Sequence, residues 1–126
     1  MPLALRRPAS ITELLLGCTA ALPWVALAAL YAFAVRASIS LGHWPQPYRP
    51  DPKDLGFGLH HVVVHWLLEA AIVSPVALAV LLLLRGLGLV RTAHVTAFVV
   101  VFAISYGVFW LAFIIDPGQV LTWYAD

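Results

Sequence analysis

Charge is what this chain has least of. Asp, Glu, Lys and Arg make up 10% of its 126 residues, against about a quarter in a soluble domain. That shortage excludes an ordinary water-facing surface, and a mean hydropathy of +0.95 points to a membrane protein. Net charge is +1, so the clustered basic face that nucleic-acid binding requires is missing. Cysteine is nearly absent as well. Cys18 stands alone in an apolar run, where it can form no intrachain disulfide and reads as a small packing residue. Catalytic signatures are also lacking. There is no nucleophile elbow, phosphate-binding glycine loop, CxxC, haem-attaching CxxCH or zinc-protease HExxH. The run His60-His61-Val62-Val63-Val64-His65 lacks the glutamate that the last of these needs. No internal repeat emerges, which argues against the paired architecture of secondary transporters. The lack of any complete catalytic set favours a non-enzymatic role without deciding it.

What the chain does have is hydrocarbon, in three stretches. Ser10-Ile11-Thr12-Glu13 fits a capping box, and apolar residues then run from Leu14 to Val35. That is about 22 residues, enough to cross ~30 Å of hydrocarbon and too long for a signal-peptide core. The spans are set at 11–35, 59–84 and 93–115, with a loop at 36–58 and an interfacial tail at 116–126 carrying Trp123 and Tyr124. Pro23 and Ser74-Pro75 predict kinks, and Asp116-Pro117-Gly118 stops the third span. The reading is one all-α membrane domain. Gly17, Ala21, Ala28 and Ala32 form a small-residue face on the first span, and Ala103 and Gly107 offer a second point of close approach.

The loop holds four prolines between Pro45 and Pro52. They enforce extended geometry, and the loop is expected to fold back over the helix ends. Asp51-Pro52 reads as an N-cap with proline at the first helical position, so the second helix is expected to begin near Pro52 and to enter the bilayer around Val62. Arg6, Arg7, Arg85 and Arg91 fall on one side of the membrane, and Arg36, Arg49 and Lys53 on the other. This favours a cytoplasmic N-terminus and an outer C-terminus.

One polar stripe interrupts the hydrocarbon. His61, His65 and Glu69 are spaced four apart, on one helical face. A carboxylate in hydrocarbon costs several kcal/mol unless it is protonated, paired or wet, and His65 and Arg36 are its candidate partners. Imidazoles at i and i+4 suit a shared metal, which Glu69, His43 and Asp51 or Asp54 could complete. Haem or another porphyrin with an axial histidine is an alternative, and so is proton transfer along His65 and Glu69 in an oligomer. His94 belongs to the opposite interface. The leading expectation is a small accessory or structural subunit that associates in the bilayer with other membrane proteins or with itself.

Overall fold

The computed structural model describes residues 10–90 and 93–126. Arg6, Arg7 and Arg91, which carry much of the orientation argument, lie outside the described residues. Among those described there is no strand, and four α-helices follow in order: α1 (Ile11–Leu41), α2 (Gly58–Gly86), α3 (Val95–Ile115) and a short α4 (Val120–Ala125). The first three are each long and apolar enough to cross a membrane. The chain is all-α.

Local chemistry fixes the helix ends. Ser10 Oγ accepts the Glu13 amide at 3.2 Å, and Glu13 Oε2 accepts the Ser10 amide at 3.0 Å, closing the capping box. The second Glu13 oxygen accepts the Ala93 amide at 3.2 Å, so one carboxylate pins the approach to α3 beside the start of α1. At its far end α1 continues to Leu41, six residues past the loop boundary set from hydropathy. Nothing between Arg36 and Leu41 breaks a helix. The first stop is Gly42, left-handed at φ 74°, whose amide donates to the Ser38 carbonyl. Hydropathy marks where the bilayer ends, and the helix outlasts it. By contrast, α2 does not begin at Pro52. Asp51 caps a separate 3₁₀ helix, Pro52–Leu55, and Gly56 at φ 72° ends it before α2 starts at Gly58.

Both α2 and α3 pack along α1 and touch each other little. Ser105 Oγ donates to the Ala20 carbonyl across the α1–α3 contact at 2.8 Å. The Tyr106 hydroxyl reaches the Ile72 carbonyl at 3.4 Å, a thin tie between α2 and α3. Pro23 and Pro75 both stand inside unbroken helices. Within the chain, close packing uses another face of α1. Ala20, Ala26, Ala34 and Ala37 are buried against α2 and α3, while Ala21, Ala28 and Ala32 are exposed. Gly17 sits off that exposed face, where an added Cβ would lie 3.7 Å from Phe98. Ala103 and Gly107 are exposed too and make no close approach within the chain.

The 21 residues of α3 rise about 30 Å, one hydrocarbon thickness. Its end is level with Tyr31, whose hydroxyl donates to the Pro117 carbonyl at 3.3 Å. Phe33, half a turn further along α1, packs against His60 and His61, which sets the corresponding level on α2 near Val62. Beyond this level the outer part of α1, the 3₁₀ helix, the start of α2 and α4 build a cap. Its centre is Phe33, fully buried, with the Phe57, His60, His61, Trp123 and Tyr124 rings at centroid distances between 5.0 and 6.0 Å. Trp123 is 0% exposed and donates its indole N–H to the Pro50 carbonyl at 2.8 Å. The tail thus buries Val120, Leu121 and Trp123 in the cap, supplying apolar mass that the polar, proline-rich loop cannot. Trp44 adds a second tie, donating to the Gly118 carbonyl at 3.0 Å.

Candidate functional site

The polar stripe lies on the first turns of α2, where the cap meets the apolar band. A helix directs its side chains toward its own N-terminus. Since α2 starts in the cap, His65 and Glu69 lean back toward the cap and away from the bilayer centre. Glu69 stands seven residues below Val62, a depth of about 10 Å at 1.5 Å per residue. His65 Nε2 is 3.2 Å from Glu69 Oε1, and each side chain remains about half exposed, at 55% and 53%. The pair is made within one helix and faces outward.

His61, His65 and Glu69 line one crevice of about 640 Å³, between the outer part of α2 on one side and α3 and α4 on the other. The arrangement explains why a carboxylate is tolerated at this depth. The crevice runs from Glu69 past His65 and His61 to Lys53 in the cap, and the rest of its surface is mostly apolar. Lys53 from the 3₁₀ helix, Trp66 from α2, Phe113 from α3 and Tyr124 from α4 also line it. These four carry no sequence signal as a set. Only Trp66, beside His65 and one turn before Glu69, is marked by helical spacing. The others arrive through long-range packing.

The three histidines do different things. His61 stacks on Tyr124, with ring centroids 5.1 Å apart, and its backbone carbonyl accepts the Tyr124 hydroxyl at 2.9 Å. His60 packs edge-on against Phe33 at 5.0 Å and lines a separate depression with Arg36. The Arg36 guanidinium lies 4.0 Å over the Phe57 ring, so it serves the cap and is no partner for Glu69. His43 is held within its own loop, with Nδ1 2.9 Å from the Trp44 carbonyl, and is not part of the crevice. Among the described residues no three His, Cys, Asp or Glu side chains come together as a metal site. The expected set of His61, His65, Glu69 and His43, with Asp51 or Asp54 in reserve, is not assembled. Asp51 instead accepts the Lys53 amide at 2.8 Å.

Two groups outside the spans set the electrostatics of the cap. Asp116 accepts the Leu121 amide at 2.7 Å, the Thr122 amide at 2.9 Å and the Thr122 hydroxyl at 2.6 Å. Desolvation works against its charge, but the bonds from the Thr122 side chain and the two amides prevail and hold its carboxyl below the usual range. Desolvation pushes the Tyr124 phenol up to about 12. Both shifts favour the docked position of α4 near neutral pH. Comparison with family models, with curated proteins and with solved structures finds no match to this chain.

Proposed function

We propose that this chain is a non-enzymatic subunit of a membrane assembly, docking through α1 against a transmembrane helix of another subunit or of a second copy. One observation carries the reading. Leu14, Cys18, Ala21, Val25, Ala28, Ala32, Val35 and Ile39 are all exposed, and their spacing alternates four and three along the whole of α1. A 3.5-residue repeat keeps one seam facing a partner helix in a left-handed pair. The small side chains at 18, 21, 28 and 32 would let the backbones approach closely, which is what drives association where lipid is as apolar as the protein. The face already used within the chain lies elsewhere on α1.

Extraction in several mild detergents followed by native mass measurement tests this reading. A dimer or a reproducible complex with a second membrane protein is the expected result. A lone monomer in every detergent contradicts it. The arginine distribution supports an outward-facing cap. Tyr48→Cys in a Cys18→Ala background is then expected to react with an impermeant maleimide on intact cells; protection until lysis would reverse the orientation. A metal role is less well supported, because His65 and Glu69 supply two ligands where an open zinc site takes three.

A further inference from the structure

We propose that the crevice between α2 on one side and α3 and α4 on the other binds a membrane-soluble amphiphile whose head is an uncharged, hydroxyl-bearing ring, of the tailed-quinol class. Four features point to this occupant. The first is access: the crevice runs along α2, with Phe113 of α3 and Leu121 and Tyr124 of α4 opposite, and it reaches from the cap to a depth of about 10 Å in the apolar band. A ligand entering there comes from the bilayer and carries an apolar tail. The second is size. A volume of about 640 Å³ falls within the range of small-molecule sites, about 300–1,000 Å³, and holds a substituted ring with the first part of its tail.

Charge is the third feature. Lys53 and Glu69 are the only formally charged groups lining the crevice, and they cancel. A phosphate head would meet one lysine at the cap side and a carboxylate further in, whereas a neutral head meets no net opposing charge. The fourth is hydrogen-bonding chemistry. Glu69 directs one oxygen to His65, and among the described residues its other oxygen has no donor. A carboxyl oxygen without a donor is an open acceptor, and a ligand hydroxyl supplies the hydrogen it lacks. Trp66, Phe113 and Tyr124 supply faces and edges against which a planar ring packs. Water alone would satisfy Glu69 but not these walls.

The acceptor character of Glu69 makes the proposal specific: a quinol donates to it, and the corresponding quinone, bearing only carbonyl oxygens, does not. The test uses the full chain in nanodiscs of neutral lipid under anaerobic, reducing conditions, titrated calorimetrically with decyl-hydroquinone. Saturable binding above that of empty nanodiscs is expected, weakened roughly tenfold or more by Glu69→Gln, since hydrogen bonds to charged groups are the stronger kind. Ile72→Trp, which fills the crevice from a partly exposed position, is expected to abolish it. Val100→Trp on the exposed side of α3 is expected to leave it unchanged. Binding no greater than partition into empty nanodiscs, binding indifferent to Ile72→Trp, or equal affinity for decyl-benzoquinone would each overturn the proposal. So would equal competition by a short-chain zwitterionic phospholipid. None of these outcomes depends on the α1 seam, so subunit docking and ligand binding stand or fall separately.

Discussion

The Ser74 hydroxyl donates to the Ala71 carbonyl at 2.6 Å, and that carbonyl is the one Pro75 leaves without a helical partner. Proline has no amide hydrogen, so the acceptor four residues earlier is orphaned. In hydrocarbon no water replaces the missing donor. Ser74 is 2% exposed, and its side chain repairs the helix from within. Ser74→Ala should therefore destabilise the protein by about 1–2 kcal/mol, the cost of a buried unsatisfied acceptor. In a Pro75→Ala background, where the backbone amide is restored, the same change should cost close to nothing. Reversible unfolding in mixed micelles measures both. Equal costs in the two backgrounds would show that the hydroxyl does not serve this carbonyl.

Gly118 is required by its surroundings. Its φ is 74°, and a Cβ there would lie 3.1 Å from the Trp44 indole nitrogen, the group that donates to the Gly118 carbonyl. Gly118→Ala combines left-handed strain with a displaced indole, and an expected loss of about 1–2 kcal/mol follows. The tryptophan emission should shift to the red as Trp44 is released. An unchanged spectrum and unchanged stability would mean that this tie does not hold the loop.

Much of this architecture is local and therefore legible in the residue order. Ser10 and Glu13 form the capping box that their spacing predicts, and Asp116-Pro117-Gly118 ends α3 where it reads as a stop. The four-residue spacing of His61, His65 and Glu69 places all three on one crevice. What was not legible depends on distant segments. Hydropathy ends the first span at Val35 because the bilayer ends there, while the helix continues to Leu41. Trp123 reads as an interfacial ring, but Phe33 and the Pro50 carbonyl draw it into a core. Spacing marks a small-residue face on α1 but not which neighbour meets it, and α2 and α3 pack on Ala20, Ala26, Ala34 and Ala37. Residue type alone links His43 to the stripe, and its loop turns it elsewhere.

Acid should loosen α4 through Asp116. Its carboxyl is held below its ordinary value of 3.8, so the stabilisation it gives is fully present above that value. It is lost as pH falls through the lower value in the folded protein. Cap stability, followed by the exposure of buried Trp123, should be flat from neutral pH down to about 4 and decline below it. Asp116→Asn should start less stable and lose that acid step. A step of the same size and position in the variant would assign the titration to another group.

Alkali acts on the same helix through Tyr124. With its phenol raised to about 12, the neutral form is favoured by folding. That contribution is complete below the ordinary value of 10 and disappears as pH rises toward the folded one. Tyr124→Phe removes the bond to the His61 carbonyl at a cost of about 1 kcal/mol, and it should remove the alkaline step with it. An alkaline transition that survives in the variant would exclude Tyr124 as its origin.

Cys18, exposed and unpaired on the α1 seam, is a natural reporter of helix docking. In native membranes treated with a short bismaleimide or a mild oxidant, single cysteines at position 18 or, in a Cys18→Ala background, at position 28 should give a discrete cross-linked product. A single cysteine at Val100, on the exposed side of α3, should give none. Absence of any product from the two seam positions would contradict docking of α1 against a second copy, and equal yields from all three would contradict the assignment of α1 as the docking helix.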